Sequence, residues 1–130
     1  MARILFVNDE PDLLEVCAQL LSDAGHEVVT LTEGRRAPGA ATRVRPDLMI
    51  IDWVVNDATA EAVLRALRFE RTTAHLPVLL ISARVDGELK AKLYGLNGYL
   101  RKPFTAGQLL RAIDEVLAGE AFASRPISSS

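Results

Sequence analysis

Hydrophobic and polar positions along this chain alternate between two spacings. Ile4-Leu5-Phe6-Val7 is a short unbroken apolar run, and Leu48-Met49-Ile50-Ile51 and Val78-Leu79-Leu80-Ile81 repeat the pattern. Such runs mark strands buried on both faces, the habit of parallel sheets. Glu27-Val28-Val29-Thr30-Leu31 predicts a further strand after the first, and Gly98-Tyr99-Leu100 a brief last one. Between the strands the period lengthens to three and four. Leu13, Val16, Cys17, Leu20, Leu21 and Ala24 predict an amphipathic helix with Pro11 in its first turn and Gly25 at its end. Residues 60–68 predict a helix with Val63, Leu64 and Leu67 inward, and residues 87–94 a short one. Thr105 can cap a last helix, with Leu109, Leu110, Ile113, Val116 and Leu117 inward and Gly119 beyond its end. Residues 34–45 have helical length but contain Pro38 and Gly39, so a weak or broken helix is expected there.

Strand and helix alternating five times predict an α/β domain, an open parallel sheet with helices on both faces. Its 130 residues suit one domain, and with 49% hydrophobic but only 5% aromatic residues its core must be aliphatic. We expect the domain to occupy residues 1–119 and residues 120–130 to be a polar tail or linker, disordered in solution. Fifteen Lys and Arg against seventeen Asp and Glu leave a net charge of −2, which excludes a general nucleic-acid binder. The single cysteine, Cys17, excludes an internal disulfide framework and a Cys-rich zinc site, and its place on an apolar stripe predicts an inert buried thiol. Arg3 and Asp9 interrupt the first apolar stretch, and no later run reaches membrane-spanning length, so no membrane association and a cytoplasmic location are expected.

In open sheets of this class, ligands sit outside the carboxyl ends of the strands. There the chain places Asn8-Asp9-Glu10 after the first strand, Asp52 after the third, Ser82 after the fourth and Lys102-Pro103 after the fifth. Gathered carboxylates repel one another unless a cation joins them, and magnesium is the natural choice, held by a few carboxylates, waters and phosphate oxygens. An added ammonium and hydroxyl suit the cluster to phosphoryl transfer. Asp52, in mid-sheet, is placed to form an acyl phosphate.

Four segments in this order, Phe6 to Leu14, Arg45 to Trp53, Leu76 to Arg84 and Gly98 to Phe104, resemble those of the receiver domains of two-component response regulators, a likeness covering residues 2–119. The resemblance implies a flavodoxin-like receiver fold with strand order 2-1-3-4-5. It also implies that Asp52 accepts a phosphoryl group from a histidine kinase or histidine phosphotransfer protein. Mg2+ would be bound by Asp9, Asp52 and the main-chain carbonyl of Val54; Lys102 would hold a phosphoryl oxygen and Ser82 would swing to bond it. Tyr99 would follow by turning inward, shifting a surface around the fourth helix, fifth strand and fifth helix toward a downstream protein, an output domain or a second copy of the chain. Lys102-Pro103 would be cis. Self-phosphorylation and self-dephosphorylation would be its only catalysis.

Several positions depart from the family's pattern. Asn8 stands where a second acid is usual, leaving Asp9 as the direct ligand and Asn8 to orient a metal-bound water. Asn56 replaces a proline and Ala60 a glycine in the loop after Asp52. Lys102 follows Ser82 by slightly less than the family's spacing, so the fourth helix is expected to be short or displaced. Val54 and Arg84 would flank the acyl phosphate. Apolar Val54 cannot align a water, so a long-lived phosphorylated form is expected. Two other readings accompany this one: a receiver-like module that signals by binding alone, and a phosphatase with Asp52 as nucleophile, for which no second general acid is visible.

Overall fold

The computed structural model describes residues 1–56 and 58–120. In chain order its strands are β1 (Arg3–Val7), β2 (Glu27–Leu31), β3 (Leu48–Asp52), β4 (Val54–Val55), β5 (Ala58–Thr59), β6 (Val78–Ser82) and β7 (Gly98–Arg101). Its helices are α1 (Pro11–Asp23), α2 (Ala37–Val44), α3 (Ala60–Phe69), α4 (Gly87–Leu93) and α5 (Ala106–Leu117), with a 3-10 turn at Gly34–Arg36 before α2. The five longer strands form one parallel sheet in the order β2-β1-β3-β6-β7, which counted among themselves is the expected 2-1-3-4-5.

Side chains alternate across a strand, so each apolar run supplies both faces. Leu5, Val7, Met49, Ile51, Val78 and Leu80 pack with Ala37, Ala40 and Ala41 of α2 and Val63, Leu64 and Leu67 of α3. Ile4, Phe6, Leu48, Ile50, Leu79 and Ile81 pack with Leu14, Cys17 and Leu21 of α1 and Leu109, Ile113 and Val116 of α5. Every large residue fully buried lies in a strand or on one of these helix stripes, which makes the sheet a rigid platform for whatever stands at its edge.

Local signals set the helix ends. Gly25 adopts φ +97° after α1, and Gly119 adopts +75° after α5. Thr105 and Gln108 form a reciprocal capping box at the start of α5. Pro38 and Gly39 fall in the first turn of α2, where a missing N–H costs nothing, so an eight-residue helix persists behind the 3-10 turn. As expected, α4 is short. Three stripe assignments need correction: Ala24 is the exposed C-cap of α1, Val16 is 67% exposed and Leu117 38%. The buried stripes of α1 and α5 are narrower than the apolar pattern, and Val16 and Leu117 project from their flanks. The antiparallel β4–β5 pair, inserted between β3 and α3, was not expected. Residues 121–130 of the expected tail lie outside the described residues. Among those described, no helix is long and apolar enough to cross a membrane.

Candidate functional site

Parallel pairing brings the carboxyl ends of β1, β3, β6 and β7 to one edge. Asp52 closes β3 opposite Ile81, and Ser82 closes β6 opposite Arg101, one residue before Lys102. The Asp52 carboxylate accepts the Trp53 N–H on Oδ1 at 2.7 Å and the Lys102 ammonium on Oδ2 at 2.6 Å. Lys102 Nζ also donates to Glu10 Oε2 at 3.0 Å, and its backbone N–H donates to the Ser82 carbonyl at 3.0 Å. The Lys102-Pro103 bond is cis. Burial alone would depress the Lys102 pKa, but hydrogen bonds to Asp52 and Glu10 outweigh it and raise the pKa above the ordinary lysine value. The lysine therefore stands protonated between two carboxylates.

Asp9 accepts the Asn56 backbone N–H on Oδ2 at 2.9 Å. Asn8 is fully buried. Its Oδ1 accepts the Glu10 N–H at 2.8 Å, while its Nδ2 is the one buried side-chain polar atom without a partner among the described residues. Ser82 is buried, and its Oγ accepts the Arg84 N–H at 3.1 Å. The Arg84 guanidinium is engaged by Asp86 at 3.0 and 3.3 Å. Val54 is half exposed.

Tyr99 points inward. Its hydroxyl donates to the Ser82 carbonyl at 3.2 Å, and its ring lies so close to Gly87, the first residue of α4, that a Cβ there would meet Cε1 at 2.5 Å. Burial pushes the Tyr99 pKa up. Trp53, also buried, has the Tyr94 ring 5.5 Å away and Lys90 Nζ 4.8 Å from its own centroid. Both residues beside the site thus touch α4.

The predicted residues Asp9, Asp52, Lys102, Ser82 and Asn8 come together at this edge, with Val54 two residues past Asp52 and Tyr99 linked through the Ser82 carbonyl. Two further residues carry the geometry: Glu10, the second partner of Lys102, and Asn56, the partner of Asp9. Glu10 was visible in the strand-end cluster, and Asn56 only as a replaced proline. The residues present fit a hard cation. Asp9 keeps its second oxygen uncommitted among the described residues, and Asn8 holds a buried N–H group in want of an oxygen. Among the described residues no cluster of three His, Cys, Asp or Glu side chains is gathered for a metal, so an ion held at this edge would need main-chain and solvent oxygens beside the carboxylates. Magnesium accepts that set.

A family model described as the response regulator receiver domain matches residues 4–114. The chemotaxis protein CheY of Pseudomonas aeruginosa is 32% identical over 117 residues, 88% of this chain and 94% of that protein. The DNA-binding dual master transcriptional regulator RpaA of Synechocystis is 29% identical over 121 residues, 90% of this chain but 49% of that protein. The chain thus spans about half the length of that regulator, whereas it matches nearly all of CheY. Among solved structures, the receiver domain of the sensor histidine kinase PA1611 from Pseudomonas aeruginosa superposes with a TM-score of 0.82 at 25% identity. The match covers 90% of this chain and 98% of that one, which holds a magnesium ion coordinated in its active site cleft.

Proposed function

Since the chain belongs to the response regulator receiver domain family, the signalling modules of two-component systems, we propose that it is a switch thrown by phosphorylation of Asp52. The observation that carries this reading is the 2.6 Å contact between Lys102 Nζ and Asp52 Oδ2 at the carboxyl edge of the sheet. An Asp52 oxygen attacks the phosphorus of a phosphohistidine on a histidine kinase or histidine phosphotransfer protein. The P–N bond breaks, the imidazole leaves with a proton, and an acyl phosphate remains on Asp52. Asp9, Asp52 and the Val54 carbonyl would hold Mg2+, with Asn8 reaching a bound water, and the ion supplies positive charge for the phosphoryl oxygens. Lys102, already protonated and aimed at Asp52, pairs with one of those oxygens.

The phosphoryl group brings nearly two negative charges to an edge where a single ammonium serves two carboxylates. Ser82 then gives up its contact with the Arg84 N–H and donates to a phosphoryl oxygen. Tyr99 hangs on the Ser82 carbonyl and lies over Gly87, so this movement is felt by α4, β7 and α5. The inward phenol, bonded to the Ser82 carbonyl, is the arrangement that phosphorylation would stabilise. Asn8 in place of a second acid and the seven-residue α4 favour the second reading, in which the module signals by binding alone. A downstream protein, an output domain or a second copy would read the altered surface in the cytoplasm.

Trp53, next to Asp52, reports on both readings. Its fluorescence should change saturably on adding Mg2+ and again with acetyl phosphate or beryllofluoride, and the second change should vanish in Asp52→Asn. No response to either addition would leave the binding-only module, and steady hydrolysis of unrelated phosphoesters would point to a phosphatase.

A further inference from the structure

The loop after Asp52 contains a backbone conformation that a simple connection would not need. Asn56 sits at φ +53°, in the left-handed region that side chains disfavour and asparagine tolerates best among residues bearing one. Its neighbours hold it there. Val54 pairs with Thr59 and Val55 with Ala58 on either side of the turn. Val55 is fully buried, and its carbonyl lies 2.9 Å from where a Cβ on Gly34 would stand, so the hairpin is pressed against the 3-10 turn. The Asn56 side chain donates through Nδ2 to the Thr32 carbonyl at 2.6 Å, tying the hairpin to the end of β2. With the turn so fixed, the Asn56 N–H points at Asp9 Oδ2, 2.9 Å away and 47 positions earlier in the chain.

We infer that Asn56 is a positioning residue for Asp9: its left-handed main chain, anchored on Thr32, presents the N–H that occupies one carboxylate oxygen and leaves the other for the cation. The inference rests on the proposed role of Asp9 as a metal ligand. A hydrogen bond to an ionised carboxylate is among the stronger kinds. It fixes the side chain's rotamer before the ion arrives, so less freedom is lost on binding. Partners that orient metal ligands in this way commonly alter metal affinity by about 10- to 100-fold when removed.

The test titrates the intact protein with Mg2+, read by Trp53 fluorescence, in the wild type and in three variants. Asn56→Gly keeps both the N–H and the left-handed backbone and loses only the Thr32 anchor, so its Kd should stay within about threefold of wild type. Asn56→Ala strains the turn and should bind more weakly. Asn56→Pro removes the N–H and cannot reach a positive φ, so its Kd should rise by about tenfold or more. Urea midpoints of the same variants separate lost affinity from lost stability. The Asn56 amide proton, followed by NMR in the otherwise unaltered chain, should move upfield in Asp9→Ala, a readout that survives if Asn56→Pro fails to fold. Equal Mg2+ affinity in the wild type, Asn56→Ala and Asn56→Pro, or an Asn56 amide indifferent to Asp9→Ala, overturns the inference and leaves the proposed function standing. A wild type that takes no Mg2+ overturns the role of Asp9 itself.

Discussion

Replacing Gly87 by alanine would drive a methyl group into the ring of Tyr99. The new Cβ would stand 2.5 Å from Cε1, 2.8 Å from the hydroxyl oxygen and 2.9 Å from Cζ. That is about 1 Å short of ordinary contact, so the ring must leave or α4 must shift. Leaving forfeits the hydrogen bond to the Ser82 carbonyl, about 1 kcal/mol, and re-exposes part of a half-buried ring, about 1 kcal/mol more. Against this, alanine is the better helix former, a gain held to about 0.5 kcal/mol at the first position of a helix. The net expectation is a destabilisation of about 1.5 kcal/mol. In a Tyr99→Ala background the obstruction is gone, and the same substitution should stabilise by about 0.5 kcal/mol. Urea unfolding of the four proteins, followed by Trp53 fluorescence, closes a double-mutant cycle with an expected coupling of about 2 kcal/mol. Equal effects of Gly87→Ala in the two backgrounds would refute the claim that the ring and α4 hold each other in place.

Other perturbations test the site's charges and its neighbours. Lys102→Met removes the ammonium beside two carboxylates, so Mg2+ should bind about fivefold more tightly while the response to acetyl phosphate is lost; unchanged or weaker Mg2+ binding would count against the assigned geometry. The apolar Val54 predicts a phosphorylated form that outlasts the assay's mixing time by far, and Val54→Asn should shorten its lifetime roughly tenfold by giving a water a partner. A wild-type lifetime of seconds, measured by the decay of radiolabelled protein, would end that explanation. Because burial raises the Tyr99 pKa above 10.0, its contribution to stability is complete below pH 10 and is lost as pH climbs through the folded value. Lys102, also raised, acts in the same direction, so the difference between wild type and Tyr99→Phe isolates the phenol. The slope of stability against pH above 10 should be shallower in the variant.

The strands were legible because a buried parallel strand must be apolar on both faces, and Leu48 to Ile51 or Val78 to Ile81 admit little else. Strand order then carries Asp9, Asp52, Ser82 and Lys102 to one edge. The resemblance gave these residues roles, which the proposed experiments test. What the sequence hid was set by contacts between distant segments. Strands β4 and β5 have two residues each, too few to show a period. The hydrogen bond from Asn56 to Asp9 spans 47 positions, and nothing near either residue announces it. Glu10 stood in the strand-end cluster, but its pairing with Lys102 spans 92 positions and shows only once the far end of the chain arrives. Tyr99 was expected to turn inward on phosphorylation. In this structure it is inward, in space left open by the glycine that faces it in α4. Val16 and Leu117 show the opposite limit: an apolar spacing says which way a helix faces, and only packing decides how wide the buried stripe is.

Seven residues make α4 a helix of two turns, well under the dozen or so at which an isolated helix holds in water. It persists through a few tethers: buried Ala91, Gly87 under the Tyr99 ring, and Lys90 and Tyr94 around Trp53. Val85, Leu89 and Leu93 add little to that hold, since they largely face solvent. Tyr99 hangs from Ser82, and Trp53 adjoins Asp52, so both tethers end at the strand-end cluster. A change there need not push a rod. It can tighten or loosen a local folding equilibrium, and the quantity transmitted is then the fraction of time these two turns exist. Amides of Lys90 to Tyr94 should accordingly exchange with solvent by local opening far faster than those of β1 or β3, at a rate governed by what Asp52 carries.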